Sequence, residues 1–227
     1  DAFIPQYQEL TRRVHAYGSK IMMQIAYGGT KTTFEREGRT IFSPSAVPER
    51  KTGTVGVAMS PDDIRHLIDE YAQAAKRVRD SGFDAVEIHG GHSYLLNQFL
   101  SPYYNRRSDA YGGSPANRYR IVGDIIAAIR KAVGMHFPIW IKITCSDFFE
   151  GGLTFAESLD ICRRLQQSGI DAIEVSGNIH GKAQQEIGLE WDGHVVRDGG
   201  YFLDYAKDIA DARECPCLCD RRLQGPE

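Results

Sequence analysis

The sequence lacks an excess of either charge: 27 Lys and Arg stand against 30 Asp and Glu, a net charge of −3. It has no basic stripe, so no nucleic-acid partner is expected, because phosphate binding needs clustered cations. No apolar run reaches the ~20 residues that cross a bilayer, so no membrane span is expected. The opening Asp1-Ala-Phe-Ile-Pro5 has neither the pattern of a secretory leader nor a Met. The expectation is a cytoplasmic protein. Cysteine is scarce, with 5 in 227 residues. Cys145 and Cys162 sit in apolar segments and read as small core residues. Cys215-Pro-Cys217-Leu-Cys219 lacks both C-x-x-C spacing and a second ligand pair, so no metal is expected. What remains is an ordinary composition, 42% apolar and 25% charged, in a chain long enough for a sizeable core.

Strand-like and helix-like segments alternate, which predicts a parallel α/β sheet or barrel. A helix is predicted over Pro5–Ala16, with Tyr7, Leu10 and Val14 at helical spacing. A short strand follows over Lys20–Ile25, closed by Gly28-Gly29, and 30–56 reads as a long polar loop. Ser60-Pro61-Asp62-Asp63 opens a helix running to about Asp80. Strands are predicted at Phe83–His89, Pro138–Thr144 and Gly169–Ser176. Helices are predicted at Pro115–Val133 and from a Thr154 cap to Gln167, where Glu157 completes a capping box. Phe83-Asp-Ala-Val-Glu-Ile and Ile170-Asp-Ala-Ile-Glu-Val are near copies, each after Ser-Gly. That echo points to equivalent strands of a repeated β/α architecture.

The most specific stretch is His89-Gly-Gly-His92-Ser-Tyr94-Leu-Leu-Asn-Gln98-Phe-Leu-Ser-Pro102. It continues through Asn105, Arg107, Asp109, Tyr111-Gly-Gly-Ser114 and Asn117-Arg118-Tyr-Arg120. Two histidines and a tyrosine stand at the end of an apolar strand, followed by a loop rich in Asn, Arg, Asp and Gly. Loops of this kind carry chemistry more often than they merely connect. Over more than thirty residues the run resembles the Old Yellow Enzyme family of flavin-dependent barrel reductases, and the resemblance extends from about Ile4 to Ala210.

The resemblance implies a (β/α)₈ barrel with its active site at the C-terminal strand ends. It implies bound FMN, reduced by NADH or NADPH, and hydride passed on to an electron-poor alkene such as an enone. His89 and His92 would bind the substrate carbonyl, two imidazole donors facing the oxygen on which negative charge develops. Tyr94 would be the catalytic proton donor. Gln24 would hydrogen-bond the flavin's pyrimidine edge, since an amide both donates and accepts. Lys142, where the family often has Arg, would bind the flavin as a cation near N1; an unpaired charge inside an apolar strand is otherwise costly. Ser93 is a departure, since many relatives have Gly there. Asn105, Arg107, Asp109 and the Tyr111–Ser114 turn are expected to form an internally bonded loop. Arg118 and Arg120 are expected to pair with Asp109 or Asp124. Gly151-Gly152, Gly177 and Asn178 are expected on the same rim.

The strand–helix units correspond to the third to sixth or seventh of the barrel, so residues 1–214 read as one incomplete flavin-binding domain. The two first strands are expected upstream of Asp1. The family resemblance calls for another strand ending in Gly-Gly after Arg213. The sequence has instead Cys215-Pro-Cys-Leu-Cys-Asp-Arg-Arg-Leu-Gln-Gly-Pro-Glu227, which fits no strand. Under one choice of codons, a shift of one nucleotide turns it into Val-Pro-Val-Cys-Val-Ile-Gly-Gly, so 215–227 reads as a frameshifted tail. The alternative function is a non-catalytic remnant that binds no flavin. A dihydroorotate-type flavin barrel fits the His-x-x-His-x-Tyr run poorly. Homo-oligomerisation of an intact parent is left open.

Overall fold

The computed structural model describes residues 1–32, 40–177 and 202–212, and the backbone of a strand at 217–219. In chain order the elements are α1 (Ile4–His15), β1 (Met22–Ile25), a 3₁₀ turn (Gly29–Lys31), β2 (Phe42–Ser43), β3 (Val57–Ala58), α2 (Pro61–Asp80) and β4 (Ala85–Gly90). Then come α3 (Leu95–Leu100), α4 (Pro115–Val133), β5 (Ile139–Thr144), α5 (Phe155–Gln167), β6 (Ala172–Ser176), α6 (Leu203–Asp211) and β7 (Cys217–Cys219).

The long helices start where local chemistry dictates. Ser60 and Asp63 form a reciprocal capping box at α2, and Thr154 and Glu157 form another at α5. At α4, Ser114 accepts from the Asn117 amide and Pro115 occupies the first turn. Gly134, at φ +86°, then ends the helix.

The main sheet has the order β1-β4-β5-β6-β7, every pair parallel. Parallel neighbours need crossover connections, which α2, α4 and α5 supply on one face. The result is an arc of a (β/α)₈ barrel.

Side-chain parity divides the sheet. Val86, Ile88, Ile139, Ile141, Ile143, Ile173 and Val175 join one apolar cluster with Ile64, Leu67 and Tyr71 of α2 and Ile121 to Ile129 of α4. Each fully buried aliphatic chain contributes roughly 1.5–3 kcal/mol. The alternate positions, Gln24, Glu87, His89, Lys142, Thr144, Glu174 and Ser176, are polar and form the opposite, concave face.

The sequence echo has a physical counterpart at the N-terminal edge of the sheet. Asp84 Oδ2 accepts from the Ile21 amide at 2.9 Å, and Asp171 Oδ2 accepts from the Ile139 amide at 2.7 Å. Each aspartate thus latches its strand to the preceding one in the sheet.

Three expectations are corrected. Residues 30–56 are not a structureless loop: a 3₁₀ turn and the first strand of the parallel β2–β3 ribbon lie within it. The tail is not strandless, because Cys217–Cys219 runs parallel to β6, with Leu218 opposite Glu174. This strand is held through backbone pairing, which an apolar pattern does not report. The rest of 215–227 and Asn178 lie outside the described residues. The third correction concerns Arg118, which is buried and ion-paired with Glu157 instead of an aspartate. Arg120 donates to the Ala110 carbonyl and to Asn117.

Candidate active site

Register places the candidate residues side by side. Gln24 on β1 stands opposite Glu87 on β4, His89 opposite Lys142 on β5, and Lys142 opposite Glu174 on β6. The end of β4 approaches β5 closely: a Cβ on Gly90 would lie 3.0 Å from the Lys142 carbonyl oxygen. The chain then turns through His92 and Ser93, both at φ +58°, a left-handed conformation costly for non-glycine residues.

Hydrogen bonds hold that turn. The His92 amide donates to Thr144 Oγ1 at 3.1 Å, and the Ser93 amide donates to Asn97 Oδ1 at 2.7 Å. Gln98 Nε2 donates to the Ser93 carbonyl at 2.6 Å. Lys31 Nζ, from the turn after β1, donates to the His92 carbonyl at 2.8 Å.

The turn gathers three rings. His89 and His92 have centroids 5.0 Å apart, and His89 and Tyr94 are 4.7 Å apart, both edge to face. His92 Nε2 shares a hydrogen bond with Ser176 Oγ at 2.7 Å. Lys31 Nζ stands 5.6 Å from the centre of the Tyr94 ring. The His89, His92 and Tyr94 side chains expected to act together are therefore brought together.

His89 is buried, and its Nδ1 has no hydrogen-bond partner among the described residues. Burial, then the cations of Lys142 and Lys31, push its pKa down to about 4. The imidazole is neutral at pH 7, with an uncommitted ring nitrogen that can donate or accept.

Gln24 and Lys142 lie one layer along. Gln24 Nε2 donates to Glu87 Oε2 at 2.5 Å. Its amide oxygen bonds nothing among the described residues, and the residue is exposed on the concave side. Lys142 pairs with Glu174 at 2.8 Å, and its side chain is 14% exposed. That pair supplies the structural partner which the sequence did not reveal.

Sequence reasoning missed Lys31, Glu87, Glu174, Thr144 and Ser176. The two glutamates had a signal: each is a charge within an apolar strand, the argument that singled out Lys142. Lys31 stands at the end of a non-periodic segment and had none. The loop beyond the turn is as expected: Asn105 Nδ2 donates to the Phe99 and Tyr111 carbonyls, and Arg107 pairs with Asp109.

Comparison with known proteins bears on the family and the fold. The model of the NADH:flavin oxidoreductase / NADH oxidase family matches residues 1–195. An NADPH dehydrogenase of Bacillus licheniformis is 39% identical over 176 residues, covering 78% of this chain and 50% of that protein. The chain spans about half the length of such relatives. In the solved complex of 2-naphthoyl-CoA reductase with 2-naphthoyl-CoA, the similar fold gives a TM-score of 0.85 at 24% identity. The match covers 98% of this chain and 35% of that one. The old yellow enzyme homologue of Zymomonas mobilis gives 0.77 at 22% identity, over 99% of this chain and 62% of its own. At these identities the structural likeness speaks for the fold.

Proposed function

The chain belongs to the NADH:flavin oxidoreductase / NADH oxidase family, and on that premise we propose that it carries the working face of an FMN-dependent reductase of activated C=C bonds. The observation that carries the reading is the cluster of His89, His92 and Tyr94 around an uncommitted, buried imidazole nitrogen.

The donor set fits FMN. Gln24 offers an amide oxygen that bonds nothing among the described residues, and Lys142 a cation, on the same face as the histidines. Bound there, FMN supplies the hydride, taken from NADH or NADPH. His89 and His92 direct N–H groups at the carbonyl oxygen of an enone-type substrate. As hydride arrives at the β-carbon, the C=C electron pair moves toward that oxygen, and the two donors stabilise the charge. Tyr94 gives its hydroxyl proton to the α-carbon, completing reduction to the saturated product, and water returns the proton. The Lys31 cation beside the ring stabilises the transient phenolate.

The test combines flavin and substrate. FMN fluorescence is titrated with the chain, and NADH- or NADPH-driven loss of 2-cyclohexenone is then followed without oxygen. His89→Ala is expected to lower kcat about 10²–10³-fold, the cost of one oxyanion donor. Tyr94→Phe is expected to lower it about 10²–10⁴-fold. Unquenched FMN and no enone loss would sink the reading and favour its rival, a remnant that binds no flavin.

A further inference from the structure

Beside the two side chains assigned to flavin, the strands bring two glutamates together. Glu87 is 3% exposed. Its Oε2 accepts from Gln24 Nε2, while its Oε1 is buried and meets no donor among the described residues. Glu174 stands on the same concave face two strands away, and its carboxyl is the neighbouring charge that acts most strongly on Glu87. Glu174 Oε1 in turn accepts from Lys142 Nζ at 2.8 Å.

Two ionised carboxylates cannot hydrogen-bond to each other, because both only accept. Glu87 Oε1 would then be an orphaned acceptor facing a like charge, in a place where water does not reach it. One proton between the two groups removes both faults.

We propose that Glu87 and Glu174 share a single proton, forming a carboxyl pair that positions the Gln24 amide and the Lys142 ammonium on the concave face. Its bearing on flavin rests on the function proposed above; the pair itself does not. With one proton the group is neutral overall: an acid, a carboxylate and an ammonium. Without it the layer carries one excess negative charge, and Glu87 is driven away from Glu174, taking the Gln24 amide with it.

The charged and titratable groups facing Glu87 come from every neighbouring strand. Gln24 projects from β1, Lys142 from β5 and Glu174 from β6, and His89 is the next inward residue of β4 itself. Burial first, then Glu174, raise the Glu87 pKa to about 7, while Gln24 and Lys142 oppose the rise. Glu87 and Glu174 are thus positioning residues for Gln24 and Lys142.

The experiment needs no flavin. In the full chain, carrying ¹³C-labelled glutamate carboxyls and ¹⁵N-labelled glutamine amides, NMR titration is expected to show one glutamate with a midpoint near pH 7. That signal is expected to vanish in Glu87→Gln. The Gln24 side-chain amide, assigned through Gln24→Met, is expected to follow the same midpoint, which a merely structural glutamate would not produce. In Glu174→Gln the midpoint is expected to fall toward the ordinary carboxylate range, since an amide replaces a like charge. If Glu87→Gln fails to fold, the wild-type chain and Glu174→Gln decide the matter. Glutamates that all titrate in the ordinary range would overturn the proposal, as would a midpoint unmoved by Glu174→Gln. FMN fluorescence measured on the same samples reports separately on the flavin reading.

Discussion

Segments 83–88 and 170–175, which lead into β4 and β6, are near copies, yet the two strands serve different ends. At their N-terminal edges they behave alike: Asp84 and Asp171 each accept the amide of the preceding strand, and Val86 and Ile173 each point into the helix-covered core. At the next inward position they part. Glu87 is buried with one oxygen lacking a donor among the described residues, whereas Glu174 holds Lys142. Their exits differ as well. β4 leaves through the left-handed His92–Ser93 turn, and β6 leaves through Gly177, where a Cβ would lie 2.3 Å from the Phe202 ring. Repeated local sequence therefore fixes the repeated latch and core contact, while neighbouring strands decide what the polar face becomes.

The largest break in this comparison comes from the shared core. Ile173→Ala is expected to cost ~2–5 kcal/mol, because the site is fully buried and its neighbours cannot collapse fully into the gap. Val86→Ala removes one methylene fewer and is expected to cost less by ~0.8 kcal/mol. Urea denaturation midpoints at unchanged slope check both values. Equal and small costs would mean that the two strands are not equivalently packed.

The latches come next. Asp84→Asn and Asp171→Asn each weaken hydrogen bonds to a strand amide, with an expected cost of about 1–2 kcal/mol at pH 7. Asp84 also holds Lys20 and His15, and its bonds to Ile21, Lys20 and His15 overcome burial to keep its carboxyl well below the usual range. A depressed folded pKa gives stability that is present above the unfolded value of ~3.9 and is lost as pH falls through the folded one. Asp84→Asn should therefore flatten the acid limb of stability against pH. An acid limb identical to wild type would show that the latch is electrostatically idle.

Glu87 has the opposite sign. Its pKa is raised from 4.5 to about 7, mainly by burial and next by Glu174. Between those values the folded chain binds more protons than the unfolded one, so this group's contribution to stability declines as pH rises from about 4.5 through about 7. Glu87→Gln removes the decline. Its Tm relative to wild type is expected to be more favourable at pH 8 than at pH 5, and a pH-independent difference would contradict the assignment.

Much of this arrangement was legible in the sequence because its causes are local. Ser60, Thr154 and Ser114 cap their helices through side chains within three residues. The alternation in β4 to β6 marks which side chains face helices. The short helix α3 was missed because all six of its residues are buried, which erases the amphipathic pattern. The strand at Cys217–Cys219 was missed because its partner is β6, far away in the chain. The ring cluster was found through residue types in a familiar order, but Lys31, Thr144 and Ser176 join it only by folding.

The smallest expected effect concerns the exit from β4. Ser93 adopts φ +58°, where glycine is at ease, and its amide and carbonyl are both fixed by Asn97 and Gln98. Ser93→Gly relieves a strain on the order of 1 kcal/mol. It also frees the unfolded chain and removes a buried hydroxyl. These opposing terms are of similar size, so stability is expected to change by less than about 1 kcal/mol. Because backbone hydrogen bonds hold the turn, the close approach of the His89 and Tyr94 rings should survive, and ring-proton shifts of the two residues should move little. A loss of more than that in Tm measurements, or displaced ring signals, would mean that the Ser93 hydroxyl, and not the backbone, holds the tyrosine in place.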